Sequence, residues 1–274
     1  MHQYYENRKR VIMEKTKKDF TPKNYFIAYI DILGYETHLK SKGTSGFAQG
    51  LHEIIMAVKN FPDFPEISPE EQRKFKVFSD NIIVCSETSW ENVLVHAQYI
   101  QQYLLAAGIF SRGSLLYGEL YFDENFICGQ GIIYANKLES EIAIFPRIIV
   151  DESFMEAMEP LIIDYYLKSS QEAQPYSKQD IDEPKIKDNW RENFFKKDFD
   201  GMFFLDYLSL FSTPEPASKK EILKNIKYHR DVVRQNLISN ANNKRILQKF
   251  QWCQNYHNEF CLKNGYSDLI IRDE

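Results

Sequence analysis

Asp31 sits inside an otherwise apolar run at residues 24–33, NYFIAYIDIL. A buried carboxylate is costly alone, so it has to be paired, protonated, metal-bound or hydrogen-bonded at a strand end. A second carboxylate, Asp80, falls in Ser79-Asp80-Asn81, between the short apolar runs 75–78 and 82–85. Asp is a common turn residue, and on its own this position asks for nothing more. The pair suggests more, because a hairpin tip beside a central strand can bring the second carboxylate up to the first. Hard divalent cations such as Mg²⁺ and Mn²⁺ take oxygen ligands, often one or two carboxylates plus substrate phosphates. Two such ions stabilise the attacking and leaving oxygens of an in-line phosphoryl displacement.

Other constellations carry less. Cys253, His257 and Cys261 are spaced four apart, on one face of a helix. Zinc there would need a fourth ligand, or an open position if catalytic. The chain has no GxxxxGK[ST] phosphate loop, no GxSxG elbow and no HExxH pair.

The elements that must position the two aspartates follow from periodicity and punctuation. Residues 24–33 have the length and flanks of a buried strand, ended by Gly34. Residues 35–60 read as helical in their second part, with Phe47, Leu51, Ile55 and Val58 on one face, and are interrupted by Gly43, Gly46 and Gly50. Residues 68–71 look like a helix start, with Ser68 as cap and Pro69 in the first turn. The runs around Asp80 make a tight hairpin. Ser89 caps a helix over 90–107 that Gly108 stops, and residues 112–121 form the next strand. A helix over 132–140 follows Gly129 and Gly131, then a strand at 146–150 and a helix capped by Asp151. Strands alternating with helices in this order fit a split βαβ, ferredoxin-like sheet. Beyond residue 160 the chain is polar over 168–189, apolar over 203–211, and helical over 218–263 with a break at 240–243.

Composition sets the outer limits. A chain of 274 residues with 43% hydrophobic and 27% charged residues is ordinary globular material, which excludes a fully disordered or collagen-like protein. A net charge of -5 argues against a dedicated duplex DNA or RNA binder. Four scattered cysteines make no disulfide framework, the N-terminus lacks an apolar signal core, and no run approaches the ~18–20 apolar residues of a membrane span. A soluble cytoplasmic location is expected.

The motifs together resemble the class III nucleotidyl cyclases. Tyr29-Ile30-Asp31-Ile32-Leu33-Gly34-Tyr35 is similar to their first metal motif, and Lys76-Val77-Phe78-Ser79-Asp80 to the second. Arg112-Gly113-Ser114 through Tyr117-Gly118 resembles the strand after the long helix. The stretch 129–140, GQGIIYANKLES, resembles the helix that completes the partner half of the site. Tyr134, Leu138-Glu139 and Pro146-Arg147-Ile148 look closest to the pyrimidine cyclases of bacterial Pycsar antiphage systems. The resemblance covers residues 24–150.

The resemblance implies an α+β fold in three parts. These are an N-terminal arm (1–20), a ferredoxin-like cyclase core (21–155; antiparallel-rich sheet, helices on one face) and a mostly helical C-terminal extension (156–274). It implies a head-to-tail homodimer with sites at the interface, no nucleic acid or membrane partner, and conversion of UTP or CTP to the 3′,5′-cyclic monophosphate and pyrophosphate. Asp31, Asp80 and the Ile32 carbonyl would hold two Mg²⁺ or Mn²⁺ ions. Arg112 and Lys137 would serve catalysis; Tyr35, Lys76 and Tyr134 would contact the substrate. Three positions depart from the purine enzymes of the class: Phe126 stands where an Asp reads adenine, Ile133 where an Asn, and Lys137 where an Arg, face the transition state. The departures leave two alternatives open, a cyclase-fold nucleotide sensor or scaffold without turnover, and a palm-type oligonucleotide synthase.

Overall fold

The computed structural model describes residues 20–60, 73–172, 191–192, 194–209 and 219–272. The N-terminal arm, the helix start expected at 68–71, and most of the polar 168–189 segment lie outside the described residues.

The core begins with strand β1 (Lys23–Ile32) and helix α1 (Tyr35–Lys59). Strands β2 (Lys74–Phe78) and β3 (Asn81–Ser86) form the expected hairpin, followed by α2 (Trp90–Ala106) and β4 (Ser111–Phe122). β1 lies between β3 and β4 and is antiparallel to both, and β2 pairs β3 antiparallel. This β1-α1-β2-β3-α2-β4 order, with strands arranged 2-3-1-4, is the ferredoxin-like split βαβ sheet. A short β5 (Ile127–Cys128) folds back on the end of β4, leading into α3 (Gln130–Lys137) and a π-helical turn (Leu138–Ile142). β6 (Ile148–Val150) then joins β4 in parallel.

The two faces of the sheet are read off β1. Phe26, Ala28, Ile30 and Ile32 point into a large core with α1, α2 and α4 (Glu152–Glu172), the three long helices of that side. Tyr25, Ile27 and Tyr29 point the other way, onto Ala135 of α3 and Leu138 of the π turn. Burial on both faces explains why β1 reads as a continuous apolar run rather than an alternating one.

The expected interruption occurs at Gly43, where φ 69° and ψ 161° break helix α1 into two pieces, whereas Gly46 and Gly50 stay helical. Buried Phe47, Ile54, Ile55 and Val58 dock the helix on the sheet, and this packing outweighs the ~1 kcal/mol propensity cost of each helical glycine. Ser89 caps α2 by accepting from the Asn92 N–H at 3.2 Å, as its sequence signature suggests.

The sheet does not stop at residue 155. α4 spans that position, and β7 (Lys196–Lys197) and β8 (Phe203–Phe204) extend the sheet beyond β6, giving the order β2-β3-β1-β4-β6-β8-β7. Helices α5 (Lys219–Ser239) and α6 (Lys244–Lys263) pack around a second core of Phe204, Tyr207, Val233, Phe250, Trp252 and Tyr256. That core reaches the first through Leu105 and Phe110, at the end of α2 and the start of β4. No helix among the described residues is long and apolar enough to cross a membrane.

Candidate active site

Asp31 is the next-to-last residue of β1, and its cross-strand neighbours are Asn81 on β3 and Arg112 on β4. By the two-residue period of a strand it shares a face with Tyr25, Ile27 and Tyr29. Beyond Tyr29 the apolar cover gives way to charge. The Arg112 Nε–H donates to Asp31 Oδ2 at 3.1 Å, and the same guanidinium pairs with Glu139. All three side chains are largely shielded, at 16% exposure for Arg112, 14% for Asp31 and 7% for Glu139.

Two glycines permit this approach. A Cβ on Gly113 would lie 2.1 Å from the Tyr29 carbonyl, so β4 can run this close to β1 only without a side chain there. A Cβ on Gly131 would meet Ile27 Cδ1 at 2.9 Å, so its absence lets α3 settle directly on the sheet. The π turn after α3 buries both Leu138 and Glu139, and so sets the Glu139 carboxylate beside Asp31. Single π turns inside helices are often found at functional sites.

Asp80 arrives through the hairpin. Phe78 pairs with Asn81 around the two-residue loop Ser79-Asp80, and Ser79 holds φ 52°, a left-handed conformation uncommon outside glycine. The Asp80 carbonyl accepts from the Ile32 N–H at 2.9 Å, which clamps the loop to the residue after Asp31. The Asn81 side-chain amide donates to Asp80 Oδ1 at 3.2 Å.

Burial pushes the Glu139 carboxyl up to about 7; Arg112 pulls it back and Asp31 raises it further. The Tyr29 hydroxyl is raised to about 12 by burial and then by the charges of Glu139, Asp31 and Asp80. The phenol therefore senses all three carboxylates on one side of the sheet. From the C-terminal part, Lys249 of α6 also reaches this field: burial lowers it, as do Arg112 and Arg245, while Asp31 and Glu139 raise it.

The donor set can be tested against a cation. Among the described residues no three His, Cys, Asp or Glu side chains group into a metal cage. An ion here would therefore rest on two aspartates at most, with backbone carbonyl, water or phosphate completing its shell. That is the habit of Mg²⁺, which keeps several waters and uses one or two carboxylates with substrate phosphates. Asp31, Asp80 and the Ile32 carbonyl are oxygen donors of that kind.

The remaining expected residues are dispersed. Tyr35 packs edge-on against Phe47, ring centroids 5.2 Å apart, and belongs to the hydrophobic core rather than to a base pocket. The Lys76 ammonium donates to the Glu124 carbonyl at 2.6 Å and lies over Phe122, which draws it to the β4–β5 turn. The Tyr134 hydroxyl donates to Asp151 Oδ2 at 3.0 Å, toward the cap of α4. Lys137 and Ile133 are exposed on α3, and Phe126 is partly exposed against Tyr121. Arg112 is engaged by two carboxylates instead of standing free for a base or phosphate.

The Cys253, His257 and Cys261 constellation is not arranged for zinc. Burial raises both thiols, Cys261 to about 11, and so opposes the thiolate that zinc requires. His257 belongs to a buried chain. Its Nε2–H donates to the Leu269 carbonyl at 2.9 Å, its Nδ1 accepts from His229 Nδ1–H at 3.0 Å, and His229 Nε2 accepts from the Tyr207 hydroxyl at 3.2 Å. This assignment follows from the Leu269 carbonyl, which can only accept.

Glu139 enters the sequence reading only as part of the Leu138-Glu139 resemblance, and its place beside Asp31 comes from the π turn; Arg245 and Lys249 carry no such signal and lie more than 200 positions from Asp31.

No protein-family model matches this chain, and no curated protein matches it. Among solved structures it is similar to the crystal structure of a class III adenylyl cyclase-like ATP-binding protein from Pseudomonas aeruginosa, with 13% identity and a TM-score of 0.35 over 50% of this chain. The match spans 35% of that protein's length, and the likeness concerns the fold alone.

Proposed function

We propose that the chain is a nucleotide cyclase that converts a pyrimidine nucleoside triphosphate, UTP or CTP, to its 3′,5′-cyclic monophosphate and pyrophosphate. The observation that carries the reading is the clamp that ties Asp80 to the residue following Asp31, on a ferredoxin-like sheet, beside a carboxylate pair that only Arg112 neutralises directly. In this reading Asp31, Asp80 and the Ile32 carbonyl hold two divalent cations. Bound there, such cations supply the charge that stabilises the attacking 3′-oxygen and the departing pyrophosphate. Arg112 acts as a positioning residue: it orients the Asp31 carboxylate and holds Glu139 against it. Catalysis of this kind is mostly positioning and charge stabilisation, so few side chains are needed.

The pyrimidine assignment is supported by Phe126 in place of an adenine-reading carboxylate and by the motif resemblance. A second messenger role in antiphage defence rests on that resemblance. A homodimer completes the proposal. Ile133, Tyr134 and Lys137 are exposed on one short helix, and Val77 and Phe78 are exposed on the hairpin. A second copy covering these side chains would bring Lys137 to its partner's triphosphate.

The test is incubation of the purified protein with each of the four ribonucleoside triphosphates and Mn²⁺, with products identified by mass spectrometry. One cyclic pyrimidine monophosphate is expected. Asp31→Ala and Asp80→Ala should each lower its yield at least 1,000-fold while the far-ultraviolet circular dichroism stays unchanged. Product that survives both substitutions overturns the metal assignment. Nucleotide binding without turnover points to a sensor, and a longer oligonucleotide to a palm-type synthase.

A further inference from the structure

A cleft of about 570 Å³ opens between the β1–α1 turn and the α5–α6 hairpin. It lies in the size range of small-molecule sites, ~300–1,000 Å³. Gly34, Thr37 and His38 form one wall; Asn240, Arg245 and Lys249 stand on the other. Its floor begins two residues past Asp31, where the Leu33 N–H donates to the Phe110 carbonyl at 2.9 Å.

The charge of this cleft is one-sided. The chain is net acidic at -5, yet no Asp or Glu lines the cleft, while two cationic side chains do. Among the described residues neither Arg245 nor Lys249 forms an ion pair with a carboxylate. By contrast, the 620 Å³ cleft beside Trp252 balances Lys196 and Lys197 with Asp198 and Glu259. Lys249 also lies within the field of Asp31, Arg112 and Glu139, so it connects the cleft to the carboxylate cluster. Two cationic side chains without a direct carboxylate partner, in a cleft of ligand size, call for an anion.

We propose that Arg245 and Lys249 of α6 bind the phosphate chain of the nucleotide in this cleft, so that the helical C-terminal part completes the phosphate side of the site within a single chain. The assignment rests on the nucleotide reading above for the identity of the ligand. The reacting phosphorus lies beside Asp31 and Asp80, and the leaving phosphates extend toward α6. Arg245 offers a forked set of donors to phosphate oxygens, and Lys249 a point charge.

The test uses the full chain in EDTA with inorganic tripolyphosphate as probe, read by calorimetry. Wild-type protein should bind, and the Arg245→Ala/Lys249→Ala double variant should bind at least tenfold more weakly. Lys263→Ala, an exposed charge at the far end of α6, should match wild type. Lys249→Met, which keeps the apolar stem, and the single exposed Arg245→Ala cover the case in which the double variant fails to fold. No binding by wild type, full affinity in the double variant, or equal weakening by Lys263→Ala overturns the proposal. Turnover separates it from the cyclase reading. Cyclic product formed with unchanged KM and kcat by the double variant sinks this proposal and spares that reading. Probe binding that depends on Arg245 and Lys249, in a protein that makes no product, does the reverse.

Discussion

Two arginines in this molecule each meet two carboxylates, and they are used differently. Arg147 is wholly buried, paired with both Asp198 and Asp200, and enclosed by Phe145, Phe204 and Trp252 with ring centroids 5.4–5.9 Å from its guanidinium carbon. The indole N–H of Trp252 donates to Asp198 at 2.8 Å, which ties α6 to the same cluster. Arg112 has Asp31 and Glu139 instead, and a cleft lined by two cationic side chains opens near the end of the strand that carries Asp31. The first cluster fastens the extended sheet to the C-terminal helices. The second stands at the end of β1, next to the residue that the Asp80 loop clamps.

That contrast can be broken most forcefully at Arg147. Arg147→Ala removes a wholly buried guanidinium that joins Asp198, Asp200 and three aromatic rings, and should cost about 3–5 kcal/mol, a fall in Tm of order 10 °C. Mn²⁺ should not restore it. Arg112→Ala should cost less, roughly 1–3 kcal/mol, because the Arg112 guanidinium is itself 16% exposed where Arg147 is wholly buried. Here Mn²⁺ should recover most of the lost Tm, since a cation between the aspartates replaces the guanidinium charge. Calorimetric scans with and without Mn²⁺ check both, and equal rescue of the two variants would erase the distinction.

The smallest effect lies in the pH dependence, where the two regions have opposite signs. His229 and His257 are held below their ordinary value, chiefly by burial, so the unfolded chain takes up protons first as pH falls through about 6.5. Their contribution to stability is complete above that pH and shrinks below it. Glu139 is raised to about 7, so the folded state holds its proton more tightly, and its contribution grows as pH falls from about 7 toward the ordinary carboxylate range. In EDTA, urea midpoints between pH 7.5 and 5.5 should therefore fall more steeply for Glu139→Gln than for wild type. Parallel curves would remove Glu139 as the compensating group.

Local pattern carried much of the core. The hairpin at 74–86, the capped helix at 90–106 and the buried strand at 23–32 all follow from short-range signals, namely turn residues, a serine cap and a run of apolar β-formers. The same signals singled out Asp31, because a carboxylate in an apolar strand is conspicuous, and Asp80, because the hairpin that carries it is conspicuous. They failed at Gly46 and Gly50 of α1, which packing keeps helical, and they gave no sign of the partners that Tyr35, Lys76 and Tyr134 find within the chain.

The amino-acid sequence alone therefore determined the elements of the ferredoxin-like core and the two aspartates at its edge, since periodicity, caps and turns act over a few residues. Tertiary structure alone decided the company those aspartates keep. Arg112 stands opposite Asp31 by strand register, Glu139 descends on it through a π turn, and Lys249 arrives from a helix more than 200 residues downstream. Charges at such separations in the chain interact only after folding has brought them within a few ångströms of each other and shielded them from water, which is why no local pattern announces them.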